Sequence, residues 1–334
     1  MVLTKDIQNK VFNLNFASSD DDFNAVSLEV FKFQLSHNEV YKDYVSSLKI
    51  NPNTIQHYSQ IPFLPIAFFK SKTIVCDQVM ENSVCFSSSG TTGQVTSKHF
   101  VNDISVYEQS FNKGFELFYN SPNNYCILAL LPNYLERTGS SLVYMFDQLI
   151  KASNHPKSGF YLNNLDELKA TIEALKKAKQ KTLLLGVTYA LLDLAETGVV
   201  LTDDFTVMET GGMKGRRKEL LKEELHQLLK QGLGIHTIHS EYGMTELLSQ
   251  AYSKENGLFQ CSPWMKILIR DVNDPFSYVK NQKSGGVNVI DLANLYSCSF
   301  IETKDLGKMM QDSYFEILGR FDNSDLRGCN LMIQ

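Results

Sequence analysis

Apolar residues recur at spacings of three and four in the first part of the chain. Phe23, Val26, Val30 and Phe33 form one stripe, and Leu28, Phe31 and Leu35 a second, the pattern of a helix buried on two sides. The first ~60 residues therefore read as largely helical. Ile61-Pro62-Phe63-Leu64-Pro65-Ile66 is too rich in proline for a helix and reads as extended. From there short apolar runs alternate with amphipathic stretches. Val84-Cys85-Phe86 is strand-like, and Tyr125 to Leu131 is a buried strand ending at Pro132. Ser140 to Ala152 is a helix, and Leu165, Leu168, Ile172 and Leu175 mark another helical face. Thr182 to Val187 is a strand, Tyr189 to Glu196 a helix, Phe205 to Glu209 a strand, Arg217 to Gln231 a charged helix and Ile235 to His239 a further strand. This alternation predicts an α/β fold: a mainly parallel sheet flanked by helices, with ligands at the carboxyl ends of the strands. Past Trp264 only strand-like pieces follow, at Met265 to Arg270, Gly286 to Asp291, Cys298 to Glu302 and Ser313 to Leu318. They predict a smaller β-rich C-terminal subdomain over about residues 260–318.

Composition narrows the function classes. A chain of 334 residues with 43% hydrophobic and 21% charged residues can bury a large core. The net charge of −5 and the lack of any run of five basic residues, Lys214-Gly215-Arg216-Arg217-Lys218 being the nearest, argue against nucleic-acid binding. Met1 to Lys10 has no signal-peptide core, and no apolar segment reaches the ~20 residues that span a bilayer. The expectation is a cytoplasmic, soluble protein without a transmembrane segment. The six cysteines are widely spaced, with no Cys-x-x-Cys pair, which disfavours a disulfide framework and a structural zinc site.

Candidate chemistry begins at Ser87-Ser88-Ser89-Gly90-Thr91-Thr92-Gly93, five hydroxyls and two glycines behind a strand. Glycines let a backbone approach an anion closely, and hydroxyls donate to phosphate oxygens. The same composition also suits an ordinary solvated loop. Glu209-Thr210-Gly211-Gly212-Met213 follows a strand and could lie flat against a purine. Glu241-Tyr242-Gly243-Met244-Thr245-Glu246 offers an aromatic face, a close-approach glycine, a hydroxyl and a carboxylate. Glu246 could hold Mg²⁺ on phosphates or complement a helix dipole, and Tyr242 could be a base platform or a core aromatic. Asp305-Leu306-Gly307 could accept from ribose hydroxyls, with Gly319-Arg320-Phe321-Asp322 placing a cation nearby; surface ion pairing is the plainer alternative. No Gly-x-x-x-x-Gly-Lys-Ser/Thr loop, Gly-x-Gly-x-x-Gly, His-Glu-x-x-His or Gly-x-Ser-x-Gly occurs, which sets aside the P-loop, dinucleotide, zinc-protease and serine-hydrolase readings.

In this order the motifs resemble the acyl-adenylate-forming superfamily: Ser88-Ser89-Gly90-Thr91-Thr92-Gly93, Tyr242-Gly243-Met244-Thr245-Glu246, Asp305-Leu306-Gly307 and Gly319-Arg320-Phe321-Asp322. Within it the chain looks most like the acyl-protein synthetases, the LuxE-like long-chain fatty acid to protein ligases. That likeness rests on Ile61 to Ile66 with Phe68-Phe69-Lys70, Leu131-Pro132-Asn133-Tyr134-Leu135-Glu136-Arg137, Thr210-Gly211-Gly212-Met213-Lys214-Gly215-Arg216 and the ending Arg327-Gly328-Cys329.

The resemblance implies an adenylate-forming large domain over 1–318 and a truncated tail over 319–334. Typical acyl-CoA synthetases continue into a mobile C-terminal domain of ~100 residues that carries a lysine used in adenylation, and this expectation leaves that domain absent. It makes Ser88, Ser89, Gly90, Thr91, Thr92 and Gly93 the triphosphate loop, and Gly211, Gly212, Met213, Tyr242 and Gly243 the adenine site. Thr245 becomes the α-phosphate contact, Glu246 the Mg²⁺ ligand, Asp305 the ribose partner and Arg320 its assistant. Superfamily loops place a lysine soon after the last glycine; here Gln94 to Ser97 intervene before Lys98. Cys329 stands where the acyl-protein synthetases accept the acyl group, Cys298 being a weaker competitor and a small terminal filler the plainer alternative.

The implied function is ATP- and Mg²⁺-dependent activation of a fatty acid to acyl-AMP, then transfer to a protein cysteine, with a reductase or transferase as partner and self-association as in related complexes. Two alternatives stand beside it. One is a short acyl- or aryl-CoA ligase resembling the phenylacetate-CoA ligases; the other is a non-catalytic nucleotide- or acyl-binding subunit.

Overall fold

Runs of apolar residues long enough to be covered on both sides become the central strands. Cys126–Leu130 and Thr182–Val187 are buried at every position, as parallel strands between helical layers are. The computed structural model describes residues 2–88, 95–132, 139–211, 220–280 and 282–321. The chain divides into two units: Met80–Ser262, and Met1–Val79 together with the described residues from Pro263 onward.

In the unit Met80–Ser262 the sheet runs in the order Gly159–Phe160, Cys126–Leu130, Thr182–Val187, Phe205–Thr210, His239–Tyr242, Ala251–Ser253, Phe259–Cys261. The first five are mutually parallel and the last two antiparallel. Helices Ser141–Ser153, Leu165–Ala178, Thr188–Ala195 and Lys222–Leu233 lie between successive parallel strands in the chain, the crossover that parallel pairing demands. A separate hairpin pairs Val84–Ser87 with Lys98–Val101, Ser87 opposite Lys98. Helix Ile104–Tyr119 follows it, begun by Asp103, whose carboxylate accepts from Ser105 N–H.

Most elements stand where the apolar pattern places them, and one differs in a way that matters. The strand expected over Ile235 to His239 is found at His239–Tyr242. The Ile235 N–H is spent on Lys230 O at 3.2 Å, closing the preceding helix. The chain enters the sheet only when His239 comes opposite Met208. Glu241 and Tyr242 are therefore strand residues. The charged helix expected over Arg217 to Gln231 is found at Lys222–Leu233; residues 220 and 221 are not helical, and 217–219 lie outside the described residues.

The other unit joins helices from the start of the chain to strands from its end. Met265–Arg270, Ser284–Asp291, Phe300–Met309 and Phe315–Arg320 form an antiparallel meander, with Leu64–Pro65 parallel to Phe300–Met309. Helix Asp20–His37 starts with a capping box, Ser19 and Asp22 each bonding the other's backbone N–H, an arrangement whose cap is worth about 1 kcal/mol. Its buried face carries Phe23, Val26, Val30, Phe31 and Phe33. Phe31 meets Tyr41 and Phe300 edge-on, and Phe12 meets Trp264 with ring centroids 5.2 Å apart. Gln34, wholly buried, donates to Asn294 O, Leu295 O and Ser299 Oγ and accepts from Ser299 N–H. Both ends of the amide are thus paired, as a buried amide requires.

Candidate active site

Parallel strands bring their carboxyl ends to one edge, and at that edge the unit Met80–Ser262 holds a cleft of about 170 Å³. Its walls are Ser87, Tyr107, Ser140, Ser141, Leu142, Met145, Thr210, Gly211, Glu241, Gly243, Met244, Thr245 and Gln250. Strand ends supply Thr210 and Glu241, which stand side by side in the parallel register. Ser87 comes from the hairpin strand that leads into the hydroxyl loop. Ser140 caps helix Ser141–Ser153, and Tyr107 OH donates to Ser141 O at 3.0 Å.

The root of the hydroxyl loop is clamped. Ser88 N–H donates to Ser97 O at 3.1 Å, and Ser97 N–H donates to Ser88 Oγ at 2.9 Å. Ser87 N–H donates to the carbonyl of Gly139 at 2.7 Å. Gly139 has φ +85, and a Cβ there would stand 3.2 Å from Ser87 Oγ, so glycine serves both the left-handed turn and the close approach. Ser89, Gly90, Thr91, Thr92 and Gly93 lie outside the described residues, as do Gly212, Met213 and Cys329. Lys98 is exposed at the start of its strand.

The two acidic residues of neighbouring strands lie on opposite faces, because side chains alternate along a strand. On one face Glu209 is 1% exposed and accepts from Lys222 Nζ at 2.5 Å, with His226 Nε2 at 3.5 Å. Burial alone would raise the Glu209 carboxyl, but the Lys222 ammonium and the surrounding hydrogen bonds hold it down at about 2. On the other face Glu241 Oε2 accepts from Thr210 Oγ1 at 2.5 Å. Burial pushes the Glu241 carboxyl up to about 7, and the Glu209 charge adds to the rise. The folded protein thus holds this proton more tightly than the unfolded chain, whose carboxyl sits near 4.5. The resulting stabilisation is complete below pH 4.5 and is lost as pH climbs to about 7. Glu241→Gln should therefore be more stable than the parent at pH 8, by on the order of 3 kcal/mol, with the gap closing below pH 5; urea unfolding at the two pH values checks it.

Gly243 follows Tyr242, and a Cβ on it would come within 2.6 Å of Glu241 Oε1. Thr245 is fixed through its carbonyl, 2.8 Å from His99 Nδ1, which must carry the proton to donate there. His99 is fully buried in the strand Lys98–Val101, so it ties the hydroxyl-loop hairpin to the Tyr242–Glu246 segment. Glu246 is 5% exposed. Tyr242 packs edge-on against Phe259, whose ring also lies 5.3 Å below Lys222 Nζ.

Gly211, Gly243 and Thr245 thus meet in one cleft, with Thr188 Oγ1 donating to Gly211 O at 2.8 Å. Asp305 and Arg320 belong to the other unit, opposite each other in paired strands, with Nε and Oδ1 3.3 Å apart. Cys298 is fully buried and donates to Phe300 O at 3.4 Å; burial pushes its thiol up to about 12, so at neutral pH it is not a thiolate. Tyr107, Ser140, Ser141 and His99 had no signal in the sequence, since each becomes a site residue only through tertiary packing.

Among known proteins, the acyl-protein synthetase, LuxE, family matches residues 4–334. No curated protein matches the chain by sequence. In fold, it is similar to 2-hydroxyisobutyryl-CoA ligase crystallised with 2-HIB-AMP and CoA, with a TM-score of 0.68 and 12% identity over 91% of this chain and 70% of that one. It is also similar to ATP-bound MatB from Rhodopseudomonas palustris, with a TM-score of 0.53 and 18% identity over 71% of this chain and 47% of that one.

Proposed function

Because the chain belongs to the acyl-protein synthetase, LuxE, family, we propose that it activates a carboxylic acid, a long-chain fatty acid by family analogy, as an acyl-AMP and passes the acyl group to a protein cysteine. The observation that carries this reading is the cleft at the carboxyl edge of the sheet. There Ser87, at the root of the hydroxyl loop, faces the strand-end residues Thr210, Gly211, Gly243 and Thr245 across one space. In the first step a carboxylate oxygen attacks the α-phosphorus of ATP and the bond to pyrophosphate breaks. In the second a thiolate attacks the acyl carbonyl and AMP leaves. The solved relatives in their crystals carry an acyl-AMP in one case and ATP in the other.

The residues present suit a nucleotide. The cleft is walled by hydroxyls and by Gly211 and Gly243, the latter a position where a Cβ would crowd Glu241, and hydroxyls and open backbone are the groups that cradle phosphates. Among the described residues no three His, Cys, Asp or Glu gather around one point. A Mg²⁺ would be held by Glu246 and phosphate oxygens, the usual mixture for this hard cation, and would supply charge neutralisation at the phosphates. The chain's own contributions are these: the loop from Ser88 to Gly93, with Lys98, receives the triphosphate; Gly211 to Met213 and Tyr242 bound the adenine; Thr245 meets the α-phosphate. No helix among the described residues is long and apolar enough to cross a membrane, and the acyl group's onward destination is a partner reductase or transferase.

Protein incubated with ATP, Mg²⁺ and radiolabelled fatty acids should acquire acid-stable, hydroxylamine-labile label, and Cys329→Ala should lose it. Equal labelling of Cys329→Ala would remove that cysteine from the mechanism. AMP release that requires added CoA would replace protein acylation with CoA ligation.

A further inference from the structure

Glu241 and Tyr242 are consecutive in the strand His239–Tyr242, so their side chains leave it on opposite faces. Their surroundings agree. Tyr242 meets Phe259 on the side that carries Lys222, whereas Glu241 meets Thr210 and borders the cleft. Tyr242, which bounds the adenine in the function proposed above, thus faces away from Glu241. Ionised, Glu241 would be repelled by the phosphates; neutral, the form burial favours, it can lie beside the acid, whose substituents are the variable groups in the cleft.

The carboxyl is built in but only half satisfied. It is 7% exposed, and its Oε2 takes the Thr210 hydroxyl. Oε1 lies against Gly243 at the cleft wall and has no hydrogen-bond partner among the described residues. Lys222 does not serve it, being held by Glu209 on the other face at 2.5 Å. An unsubstituted alkyl chain laid over Oε1 would bury an acceptor with nothing to donate to it, a costly outcome. A substrate hydroxyl or amino group would complete the pair. The carboxyl also stands close in the chain to Thr245, the proposed α-phosphate contact, so the donor must lie near the reacting end of the acid.

We propose that Glu241 is a specificity-determining residue that selects acids carrying a hydrogen-bond donor, a hydroxyl or an amino group, within a few carbons of the carboxylate. This rests on the ATP-dependent activation proposed above. Sites built to pair with a substrate donor reject analogues that lack it far more strongly than apolar pockets reject a missing methylene. The preference should therefore be large.

The test is acid-dependent pyrophosphate exchange with the full chain, using matched acids of equal length: dodecanoic, 2-hydroxydodecanoic, 3-hydroxydodecanoic and 3-aminododecanoic acids, and the corresponding butanoic series. The parent protein should favour a substituted acid over its unsubstituted match by about tenfold or more in kcat/KM. Glu241→Leu should shrink that preference to within about twofold, and Glu241→Gln, whose amide oxygen still accepts, should keep part of it. The comparison of acids on the parent protein needs no variant, so it stands even if Glu241→Leu misfolds. Equal or better exchange with the unsubstituted acids, or a preference that survives Glu241→Leu, would overturn the inference alone. No exchange with any acid would overturn the ATP-dependent reading and the inference with it.

Discussion

Lys222→Met should destabilise the protein by about 3 kcal/mol at pH 7. Glu209 is buried on the strand Phe205–Thr210, and the Lys222 ammonium, 2.5 Å away, is its principal counter-charge. Methionine keeps the apolar stem but strands the carboxylate, which must then either stay charged in a dry site or take a proton. The Lys222 side chain is 32% exposed, so solvent screens the pair in part and the loss belongs at the low end of the range for broken buried pairs. The Glu209 carboxyl sits at about 2 in the fold against an ordinary 4.5. Its stabilising contribution is therefore in place above pH 4.5 and disappears as pH falls toward 2. Urea unfolding should show the gap between parent and variant at pH 7 and a smaller gap at pH 3. Adding Glu209→Gln to Lys222→Met should restore most of the stability, because the stranded charge is then gone. A single variant within 1 kcal/mol of the parent at pH 7 would show that Glu209 tolerates the loss and that the pair is incidental.

That pair also shows why some of the architecture can be read from sequence and some cannot. Thr182–Val187 is found where the apolar run places it, because a strand buried on both faces has an unbroken apolar signature. Ala251–Ser253 and Phe259–Cys261 carry no such signature. They are strands because partners at Tyr242 and Ser253 offer them hydrogen bonds, and pairing over the sheet is not written in three residues. The joining of N-terminal helices to C-terminal strands is equally hidden: the Gln34 amide is satisfied by Asn294, Leu295 and Ser299, some 260 positions away.

The site divides in the same way. Gly211, Gly243 and Thr245 could be named because glycines and hydroxyls next to strand ends have a chemical meaning on their own. Glu241 could not be assigned its face, since a strand placed at 235–239 leaves it in a loop without a fixed direction. A shift of the strand to His239–Tyr242 gives Glu241 one face and Tyr242 the other. Such a placement depends on a helix-closing hydrogen bond at Ile235, a detail that apolar periodicity does not contain.

Glu246→Gln should lower kcat/KM for acid-dependent pyrophosphate exchange by about a hundredfold, or about 3 kcal/mol of transition-state stabilisation. Adenylation brings a carboxylate up to a triphosphate, yet the described cleft lining contains no lysine or arginine, only hydroxyls, glycines, apolar groups, an amide and a carboxyl. Under the function proposed above, Mg²⁺ on the nucleotide would supply positive charge alongside Lys98, and a buried carboxylate is the protein group such an ion uses. Glu246 is 5% exposed and follows Thr245, whose carbonyl is held by His99, so its backbone has little freedom to compensate. Glutamine preserves size and hydrogen bonding while removing the charge. The increase in melting temperature produced by ATP with Mg²⁺ should accordingly shrink in Glu246→Gln, while any increase produced by ATP with EDTA stays the same. Exchange within threefold of the parent, or an unaltered response to Mg²⁺, would show that Glu246 holds the fold of its turn and that the metal is bound elsewhere.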